Sequence, residues 1–197
     1  MIVIVNYGVG NLKSILKALH LFTEKVEITL DKEKIKESAG IVLPGVGAFK
    51  TAMEKLCGIG IDKVIKDTHS PVLGICLGMQ LFARRSEEGN CKGLGIFEEK
   101  VRKLPKSVGK IPHMGWNVVK VKRESKILEG IEKYFYAYFV HSYYLKTEKY
   151  ELASTLYGIE FSSAVESENF FGFQFHPEKS GKNGLKIIKN FVKLCSS

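Results

Sequence analysis

Residues 73–80 read LGICLGMQ and place one cysteine, Cys76, between two glycines where a strand-like run meets a helix-like run. The apolar residues 71–75 predict a buried strand, and the pattern of residues 77–84 predicts a helix. The GICLG spacing fits a G-x-nucleophile-x-G elbow, in which a sharp turn lifts the nucleophile to the carboxyl edge of a sheet. A helix that begins at Leu77 would favour the thiolate and leave the Leu77 amide to bind an oxyanion. A buried structural cysteine fits this motif alone equally well.

The flanking sequence alternates strand and helix patterns before the cysteine and turns to strands after it. Apolar runs predict strands at residues 2–5, 26–30 and 41–43, and amphipathic patterns predict helices at 11–22, 49–56 and 61–67. Further strands are predicted at residues 118–121, 134–140, 152–156, 161–165 and 170–175, before a closing helix at 184–194. We therefore predict an α/β fold, a three-layer sandwich whose largely parallel central sheet is extended by antiparallel strands, in one domain over residues 1–197.

Composition and charge narrow the function classes. No apolar run reaches the length of a membrane span, so we predict no membrane association. Lysine and arginine number 30 against 21 acids, a net charge of +9 that suits nucleic acid, but the lysines are dispersed, which favours a solvated surface and no nucleic-acid partner. The four cysteines form no CxxC pair, which predicts a reducing, cytoplasmic setting.

A second segment, FFGFQFHPEKS at residues 170–180, supplies a base and a carboxylate. His176 and Glu178 follow the last strand, and in an extended chain their side chains would project to the same side. His176 could accept the proton of Cys76 while Glu178 orients the imidazole. The sequence thus predicts a catalytic triad in the order cysteine, histidine, glutamate.

Other interpretations of the same segment are a structural pair, a metal site, or the H-x-E motif of a zinc deaminase. The deaminase motif requires a following P-C-x-x-C, which the sequence lacks, and no further His or Cys cluster supports a metal. FFGFQF also has the character of an RNA-binding strand, but that module has neither a run of parallel strands nor a nucleophile elbow. We therefore predict catalysis without a metal.

Two glycine-rich loops follow predicted strands. In PGVGAF, residues 44–49, glycines allow the amides of Val46 and Gly47 to point inward and form the second wall of an oxyanion hole beside Leu77. A plain strand-to-helix turn is the alternative. GVGN at residues 8–11 begins like a dinucleotide-binding fingerprint, but Lys13 stands where the third glycine belongs, so we predict no cofactor.

GICLGMQ together with FHPEKS resembles the class I, triad-type glutamine amidotransferases. Within them the chain is similar to the glutaminase subunits of imidazole glycerol phosphate synthase, an enzyme of histidine biosynthesis. Six ordered motifs carry this likeness: NYGVGNL, PGVGAF, EGNCKGLGIF, PHMGWN, YFVHSYY and FQFHPEKSGKNGLKIIKNF. The resemblance extends from residue 2 to about residue 192, with the departure that Asn6 stands where the family usually has aspartate.

This resemblance implies that the chain hydrolyses L-glutamine to glutamate and ammonia. Cys76 would form a glutamyl thioester, and His176 would protonate the leaving ammonia and then activate water. The implied substrate-binding residues are Gly45, Gln80, Ser142 and Tyr143. The ammonia would pass to a separate cyclase subunit, a (βα)₈ barrel in a heterodimer, that makes imidazole glycerol phosphate and AICAR. Asn11, Trp116 and Lys179 match positions that line the contact with that barrel.

Three other functions compete with this one. A paralogous amidotransferase subunit would feed ammonia to another acceptor, such as an enzyme of surface-sugar synthesis. A cysteine hydrolase of the same fold would act alone, as a peptidase or deglycase-like protein does. A nucleic-acid-binding module would explain the basic charge and the aromatic residues. The Gln80 position and the HSYY segment favour glutamine.

Overall fold

The computed structural model describes residues 1–8 and 11–196. Within them lie thirteen strands: β1 (Ile2–Val5), β2 (Val26–Thr29), β3 (Gly40–Leu43), β4 (Val72–Ile75), β5 (Ala83–Ser86), β6 (Cys91–Lys92), β7 (Phe97–Lys103), β8 (His113–Val121), β9 (Tyr134–His141), β10 (Tyr143–Tyr144), β11 (Glu151–Tyr157), β12 (Ile159–Ser167) and β13 (Phe170–Phe173). The same residues form six α-helices: α1 (Leu12–His20), α2 (Lys32–Lys36), α3 (Phe49–Gly58), α4 (Ile61–Asp67), α5 (Leu77–Leu81) and α6 (Gly181–Leu194). The incomplete fingerprint at residues 8–11 includes Val9 and Gly10, which lie outside the described residues.

The central sheet has the order β2-β1-β3-β4-β13-β12-β11-β8-β9. The first five strands of this order, β2-β1-β3-β4-β13, pair in parallel. From β13 onward, β12, β11, β8 and β9 continue the sheet in antiparallel pairs. This arrangement confirms the predicted parallel sheet with an antiparallel extension. It also makes β4 and β13 parallel neighbours, so the residues that follow them meet at one edge of the sheet.

Helices cover both faces of the parallel half. Along β1, Ile2 and Ile4 pack into a core with α1 and α6, while Val3 and Val5 pack into a second core with α2, α3 and α4 on the opposite face. This alternation follows from the two-residue period of a strand, and it explains why the parallel strands are apolar throughout. The three layers predicted from the sequence are therefore present.

The helix predicted over residues 77–84 is shorter than the sequence pattern indicates. Helix α5 ends at Leu81, and the chain continues as β5 in a second sheet of order β10-β7-β5-β6. The backbone amides of Leu94 and Ile96 donate to the carbonyls of Leu81 and Phe82 respectively, each at 2.8 Å, so tertiary contacts satisfy the carbonyls that a longer helix would use.

The sequence patterns also missed α2 and the strands of this second sheet. Strand β7 reads FEEKVRK, and its charged residues hide the alternation that marks a strand. Among the described residues, no helix is long and apolar enough to cross a membrane.

Candidate active site

Cys76 sits at a sharp turn between β4 and α5. Its backbone angles are φ 54° and ψ −106°, a region that residues other than glycine rarely adopt. The backbone amide of Cys76 donates to the carbonyl of Phe173 on β13 at 2.7 Å, which fixes the turn to the neighbouring strand. A Cβ atom at Gly78 would lie 1.8 Å from the carbonyl oxygen of Leu43, so only glycine permits this close approach. The predicted strand–turn–helix elbow is present.

His176 and Glu178 lie directly beyond β13, beside the elbow. Their side chains are 3% and 4% exposed, and His176 Nδ1 is 2.9 Å from Glu178 Oε1. The extended conformation assumed from the sequence is wrong, because Pro177–Lys179 forms a 3₁₀ turn. The turn still brings the side chains of His176 and Glu178 together, because its backbone directs side chains two residues apart to within hydrogen-bonding distance here. Within the described residues, His176 Nε2 has no hydrogen-bond partner.

The Cys76 thiol lies among polar groups from three elements. Its Sγ–H donates to the carbonyl of Val140 at 3.6 Å, and the amide Nε2 of Gln174 donates to Sγ at the same distance of 3.6 Å. Both contacts are long, so the thiol can rotate away from them at little cost. Val140 lies near the end of β9, so the antiparallel half of the sheet reaches the Cys76 thiol.

The environment of His176 favours its protonated form. Burial lowers its pKa, but the nearby Cys76 and Glu178 outweigh burial and raise the pKa of His176 to about 9. At neutral pH the imidazole is therefore set up to carry a positive charge next to the thiol. An imidazolium stabilises a cysteine thiolate and can later give its proton to a leaving group.

A cavity of about 310 Å³ opens beside the thiol. Its lining includes the expected site residues Val46, Gly47, Cys76, Leu77, Gln80, Ser142 and Tyr143. The amide of buried Gln80 donates to the carbonyl of Tyr143 at 2.9 Å and to the side-chain oxygen of Gln174 at 3.0 Å. A larger, more open cavity of about 730 Å³ lies between residues 121–131 and α6, but no cysteine or histidine occurs among its described lining residues.

The expected oxyanion hole is closed in this structure. The Leu77 amide is not free, because it faces the carbonyl oxygen of Gly45 at 3.4 Å. A trans peptide points its C=O and N–H in opposite directions, so the Val46 amide of that peptide is directed away from Leu77. Gly47 has φ 120°, a conformation that suits glycine and leaves this loop able to rearrange.

Tyr7 anchors the same loop, and sequence reasoning gave it no role. Its buried hydroxyl donates to the carbonyl of Pro44, the residue before Gly45. Burial raises the pKa of Tyr7 further above its usual value, and the proximity of Cys76 raises it as well. The hydroxyl therefore remains a proton donor. The tyrosine of the NYG motif was the available signal, and only the fold shows what it touches.

Glu88 is a second residue without an assigned role that reaches the cavity. It lines the wall together with Tyr143, and its Oε2 accepts a hydrogen bond from the Phe49 amide at 2.9 Å. Burial first, and then the Glu88 charge, raises the pKa of the Tyr143 phenol. A carboxylate on the wall of a pocket can bind the α-ammonium group of an amino acid. The EGNCKGLGIF motif contained this residue but did not identify it.

Trp116 and Lys179, two of the three residues expected at a partner interface, meet around Tyr138. Trp116 is exposed on β8 and packs edge-on against Tyr138, with ring centroids 6.1 Å apart, and Lys179 Nζ lies 5.7 Å from the Tyr138 centroid. Asn11, the third, is an exposed residue whose side chain caps α1 by accepting from the Ser14 amide. Helix α1 packs against the Pro177–Lys179 turn, so Asn11 lies at the same end of the molecule.

The outward side chains of β8 and β9 form a continuous apolar surface. The register pairs Met114 with Val140, Trp116 with Tyr138, and Val118 with Tyr136. We call these residues of β8 and β9 the aromatic face, and four of them, Met114, Trp116, Val118 and Tyr136, are exposed. At one end the aromatic face reaches Val140, whose carbonyl contacts the thiol. Exposed apolar surfaces of this kind mark protein contacts.

The arrangement of an elbow cysteine, a buried histidine–glutamate pair and a glycine-rich loop agrees with a family comparison. The sequence pattern of the family described as "Glutamine amidotransferase class-I" matches residues 3–195. The chain belongs to the class-I glutamine amidotransferase family. No group of three or more metal-ligating side chains occurs among the described residues of this amidotransferase.

Two curated relatives within this family share one name. The amidotransferase is 57% identical to "Imidazole glycerol phosphate synthase subunit HisH" of Archaeoglobus fulgidus, over 98% of each chain. It is 50% identical to the protein of the same name in Methanocaldococcus jannaschii, over 98% of this chain and 100% of the relative.

Solved structures share the fold at lower sequence identity. A putative GMP synthase protein from Thermoplasma acidophilum superposes with a TM-score of 0.78 at 23% identity, over 99% of this chain and 93% of that one. A structure of PurLQS from Thermotoga maritima gives a TM-score of 0.73 at 19% identity, over 98% of this chain and 97% of that one. These similarities confirm the fold class.

Proposed function

We propose that this amidotransferase is the glutaminase subunit of an imidazole glycerol phosphate synthase and acts in histidine biosynthesis. The observation that carries the proposal is the 57% identity, over nearly the full length of both chains, to a subunit of that name. Its single amidotransferase domain would supply ammonia, and a separate cyclase subunit would use it to make imidazole glycerol phosphate and AICAR. The four free cysteines suit a reducing cytoplasm.

Cys76, His176 and Glu178 form the proposed triad. The Cys76 thiolate attacks the side-chain amide carbon of glutamine, and His176 gives its proton to the nitrogen that leaves as ammonia. A glutamyl thioester remains on Cys76. His176 then takes a proton from water, the hydroxide attacks the thioester carbonyl, and glutamate leaves as the proton returns to the Cys76–His176 pair. Glu178 holds the imidazole through the 2.9 Å contact.

The cavity beside Cys76 is the proposed glutamine site. Gln80, Ser142 and Tyr143 of the cavity wall would hold the substrate, together with Gly45, which precedes the lining residue Val46. Polar side chains and backbone groups of the wall would face the amide and carboxylate of glutamine. Glu88 would bind the α-ammonium group by charge complementarity. These contacts would present the amide carbon of glutamine to the sulfur.

A rotation of the Gly45–Val46 peptide would open the oxyanion hole. It would release the Leu77 amide from the Gly45 carbonyl and turn the Val46 amide, next to Gly47, toward the substrate oxygen. Because a missing oxyanion donor costs about 3–4 kcal/mol in the transition state, the closed loop would slow turnover about 10²- to 10³-fold. We infer that partner binding shifts this peptide, so that the subunit hydrolyses glutamine mainly when an acceptor is ready.

The aromatic face, with Asn11 and Lys179 beside it, is the proposed docking surface for the cyclase, which we expect to be a (βα)₈ barrel. Aromatic side chains at the centre of an interface commonly dominate binding. The face ends at Val140, so a partner seated there would lie next to Cys76, where glutamine would release ammonia.

The test is to measure glutamine hydrolysis by the chain alone and by the chain mixed with its cyclase, with and without the acceptor nucleotide. We expect low activity alone and at least about 100-fold activation in the loaded complex. High activity of the lone chain would favour an independent cysteine hydrolase. Assembly with a different acceptor enzyme would favour a paralogous amidotransferase.

A further inference from the structure

Two buried histidines that the proposed mechanism does not use form a hydrogen-bonded pair, and one of them, His141, lines the cavity. The register of β8 and β9 places His113 directly opposite His141, and both are 5% exposed or less. His113 Nδ1 lies 2.9 Å from His141 Nε2, and His141 Nδ1 lies 2.8 Å from the carbonyl oxygen of Tyr143. At the other end, His113 Nε2 lies 3.2 Å from the side-chain amide of Asn117.

The partners of this pair define where each proton lies. The Tyr143 carbonyl can only accept, so His141 carries its hydrogen on Nδ1. The Val118 amide donates to Asn117 Oδ1 at 2.7 Å, which directs the Asn117 NH₂ group toward His113 Nε2 and toward the Leu156 carbonyl at 3.1 Å. His113 therefore accepts at Nε2 and donates from Nδ1 to His141. Each of these three hydrogen bonds thus has one hydrogen, and in each the donor lies on the side of Asn117 and the acceptor on the side of the cavity.

The surroundings keep both rings neutral. Burial lowers the pKa of His113 to about 4 and that of His141 to about 3. The positive charges of His113 and His176 would further oppose protonation of His141, and together with burial they overcome the opposite effect of the Tyr143 carbonyl. His113 is also stacked between Phe139 and Tyr157, with ring centroids 4.8 Å and 4.0 Å away, so its orientation is fixed.

The chain of hydrogen bonds ends on a carbonyl that serves the glutamine pocket. The Tyr143 carbonyl accepts from His141 and also from the amide of Gln80 at 2.9 Å. His141, Tyr143 and Gln80 all line the cavity. A loss of the His141 bond would leave the Tyr143 carbonyl with the Gln80 amide as its remaining side-chain donor, so the carbonyl, and with it the Gln80 amide, would be held less firmly.

We propose that His141, oriented by His113, is a positioning residue for the glutamine pocket that fixes the Tyr143 carbonyl and through it Gln80. It makes no contact with the reacting atoms in this role. The inference rests on the proposed glutaminase function, because it assigns the cavity to glutamine. It also predicts a specific chemical state: both histidines carry their hydrogen on Nδ1, which is the less common neutral tautomer in water.

The kinetic test compares His141→Leu with His141→Asn in the synthase assembled with its cyclase and acceptor. Leucine removes the donor to Tyr143, whereas the asparagine amide lies close to the position of Nδ1 and can replace it. We expect His141→Leu to lower kcat/KM for glutamine about 10- to 100-fold, mainly through KM, and His141→Asn to recover most of it. His69→Asn, at an exposed histidine, is the matched control. Ammonium-dependent synthesis should be unchanged in all three variants.

A second substitution tests the orienting residue. His113→Phe keeps the stacking on Phe139 and Tyr157 but removes the donor to His141, and we expect a smaller rise in KM than for His141→Leu. Equal kinetics of His141→Leu and the wild type would overturn the inference. So would a loss in His141→Asn as large as in His141→Leu, since a purely structural role would show no rescue by a donor.

The side-chain ¹⁵N spectrum gives a readout that needs no activity. The chain has five histidines, so the imidazole signals can be assigned by single substitutions. We expect His113 and His141 to show Nδ1–H and unprotonated Nε2 between pH 6 and 8. An Nε2–H tautomer at His141 would overturn the inference even if the enzyme hydrolyses glutamine. Absence of glutamine hydrolysis in the wild-type complex, with the Nδ1–H tautomers present, would instead overturn the proposed function.

Discussion

The parallel and antiparallel halves of the central sheet contribute differently to the candidate site. The parallel half brings Cys76 and His176 to one edge because β4 and β13 are neighbours that end together. The antiparallel half supplies the wall of the cavity and the aromatic face, through β9 and the turn that follows it. The proposed nucleophile and base thus rest on a layer packed on both faces, while the wall of the proposed glutamine site rests on strands with one exposed face.

This difference separates the part of the site that holds Cys76 from the part that a partner could move. The elbow is held by close backbone packing that cannot change without breaking the sheet, as the contact of Gly78 with Leu43 illustrates. On one face of β9, Tyr138 contacts the exposed Trp116 of β8. On the other face, His141 forms a hydrogen bond with the Tyr143 carbonyl. The proposed partner on β8 and β9 would therefore act on glutamine binding while the proposed nucleophile keeps its place.

The largest expected effect is on the parallel half, at the nucleophile. Cys76→Ala should reduce glutamine hydrolysis about 10⁴-fold or more, because Cys76 is the only cysteine among the described residues that line the cavity. Ammonium-dependent synthesis by the assembled enzyme should continue, measured by the rate of imidazole glycerol phosphate formation with ammonium in place of glutamine. Cys57→Ala, at an exposed cysteine, is the control. Loss of the ammonium-dependent rate in Cys76→Ala would mean that Cys76 takes part in the acceptor reaction.

Gly78→Ala tests the rigidity of the same half. The added Cβ would clash with the Leu43 carbonyl at 1.8 Å, so the elbow must move. We expect the free energy of unfolding to fall by about 3 kcal/mol, measured by chemical denaturation, together with loss of glutaminase activity. Gly58→Ala, at a helix position with nothing within 4 Å, should leave stability unchanged or raise it by about 0.5–1 kcal/mol. Equal stability of the two variants would show that the close approach is not needed.

The two halves also differ in how much of them the sequence predicts. The elbow was predictable because its signal is local: GICLG needs one strand, one turn and one helix, and all three follow from neighbouring residues. The pairing of Cys76 with His176 was less certain from the sequence, since 99 residues of chain lie between them; it was predicted from the types of residue in the two motifs and strengthened by the resemblance. Glu88 and His141 were missed because no local pattern distinguishes a residue that faces a cavity from one that faces solvent.

Charge patterns explain the remaining misses. Strand β7 and helix α2 are rich in charged residues, so neither shows the hydrophobic period that identifies an element. The contact between His176 and Glu178 was predicted on the assumption that the chain is extended there. The chain instead turns at Pro177, so the prediction had the wrong backbone conformation. Side-chain proximity can thus be guessed from spacing while the backbone conformation is not.

Glu178→Gln sharpens the comparison because it changes the partner of His176 and leaves the cavity wall formed by β9 intact. His176 must be protonated to release ammonia, so kcat/KM for glutamine should fall as pH rises through about 9, the raised pKa of His176. Removal of the Glu178 charge should move this limb to lower pH and reduce kcat about 100-fold, the lower end of the range for a positioned acid–base group. The measurement is a pH–rate profile, with Glu54→Gln on the exposed surface of α3 as the control.

The same pKa has a consequence for stability. The pKa of His176 is higher in the folded state than its ordinary value of 6.5, so protonated His176 stabilises the fold fully below about pH 6.5 and this contribution is lost as pH rises through about 9. Denaturation of wild type and Glu178→Gln at pH 6 and pH 9.5 should show a larger loss for the wild type. An unshifted descending limb in Glu178→Gln would contradict the proposed role of the carboxylate.

The smallest expected effect lies where the two halves meet, at Lys179 in the Pro177–Lys179 turn. Its amide donates to the His176 carbonyl at 3.0 Å, and its ammonium lies 5.7 Å from the centroid of the Tyr138 ring on β9. The Tyr138 backbone also binds this turn, because its carbonyl accepts from the His176 amide and its amide donates to Ser180 Oγ, both at 3.0 Å. A partner carboxylate that attracts Lys179 would therefore pull on the turn that holds His176.

Lys179→Ala should weaken cyclase binding about 3- to 10-fold and reduce the activation of glutaminase by acceptor, because a partly desolvated charge pair loses one partner. Titration calorimetry gives the affinity, and the ratio of glutaminase rates with and without acceptor gives the coupling. Lys182→Ala, at an exposed lysine one turn further along the chain, should change neither. If both variants behave like the wild type, the aromatic face binds its partner without acting on the Pro177–Lys179 turn, and control of the glutaminase must pass through the Gly45–Val46 peptide alone.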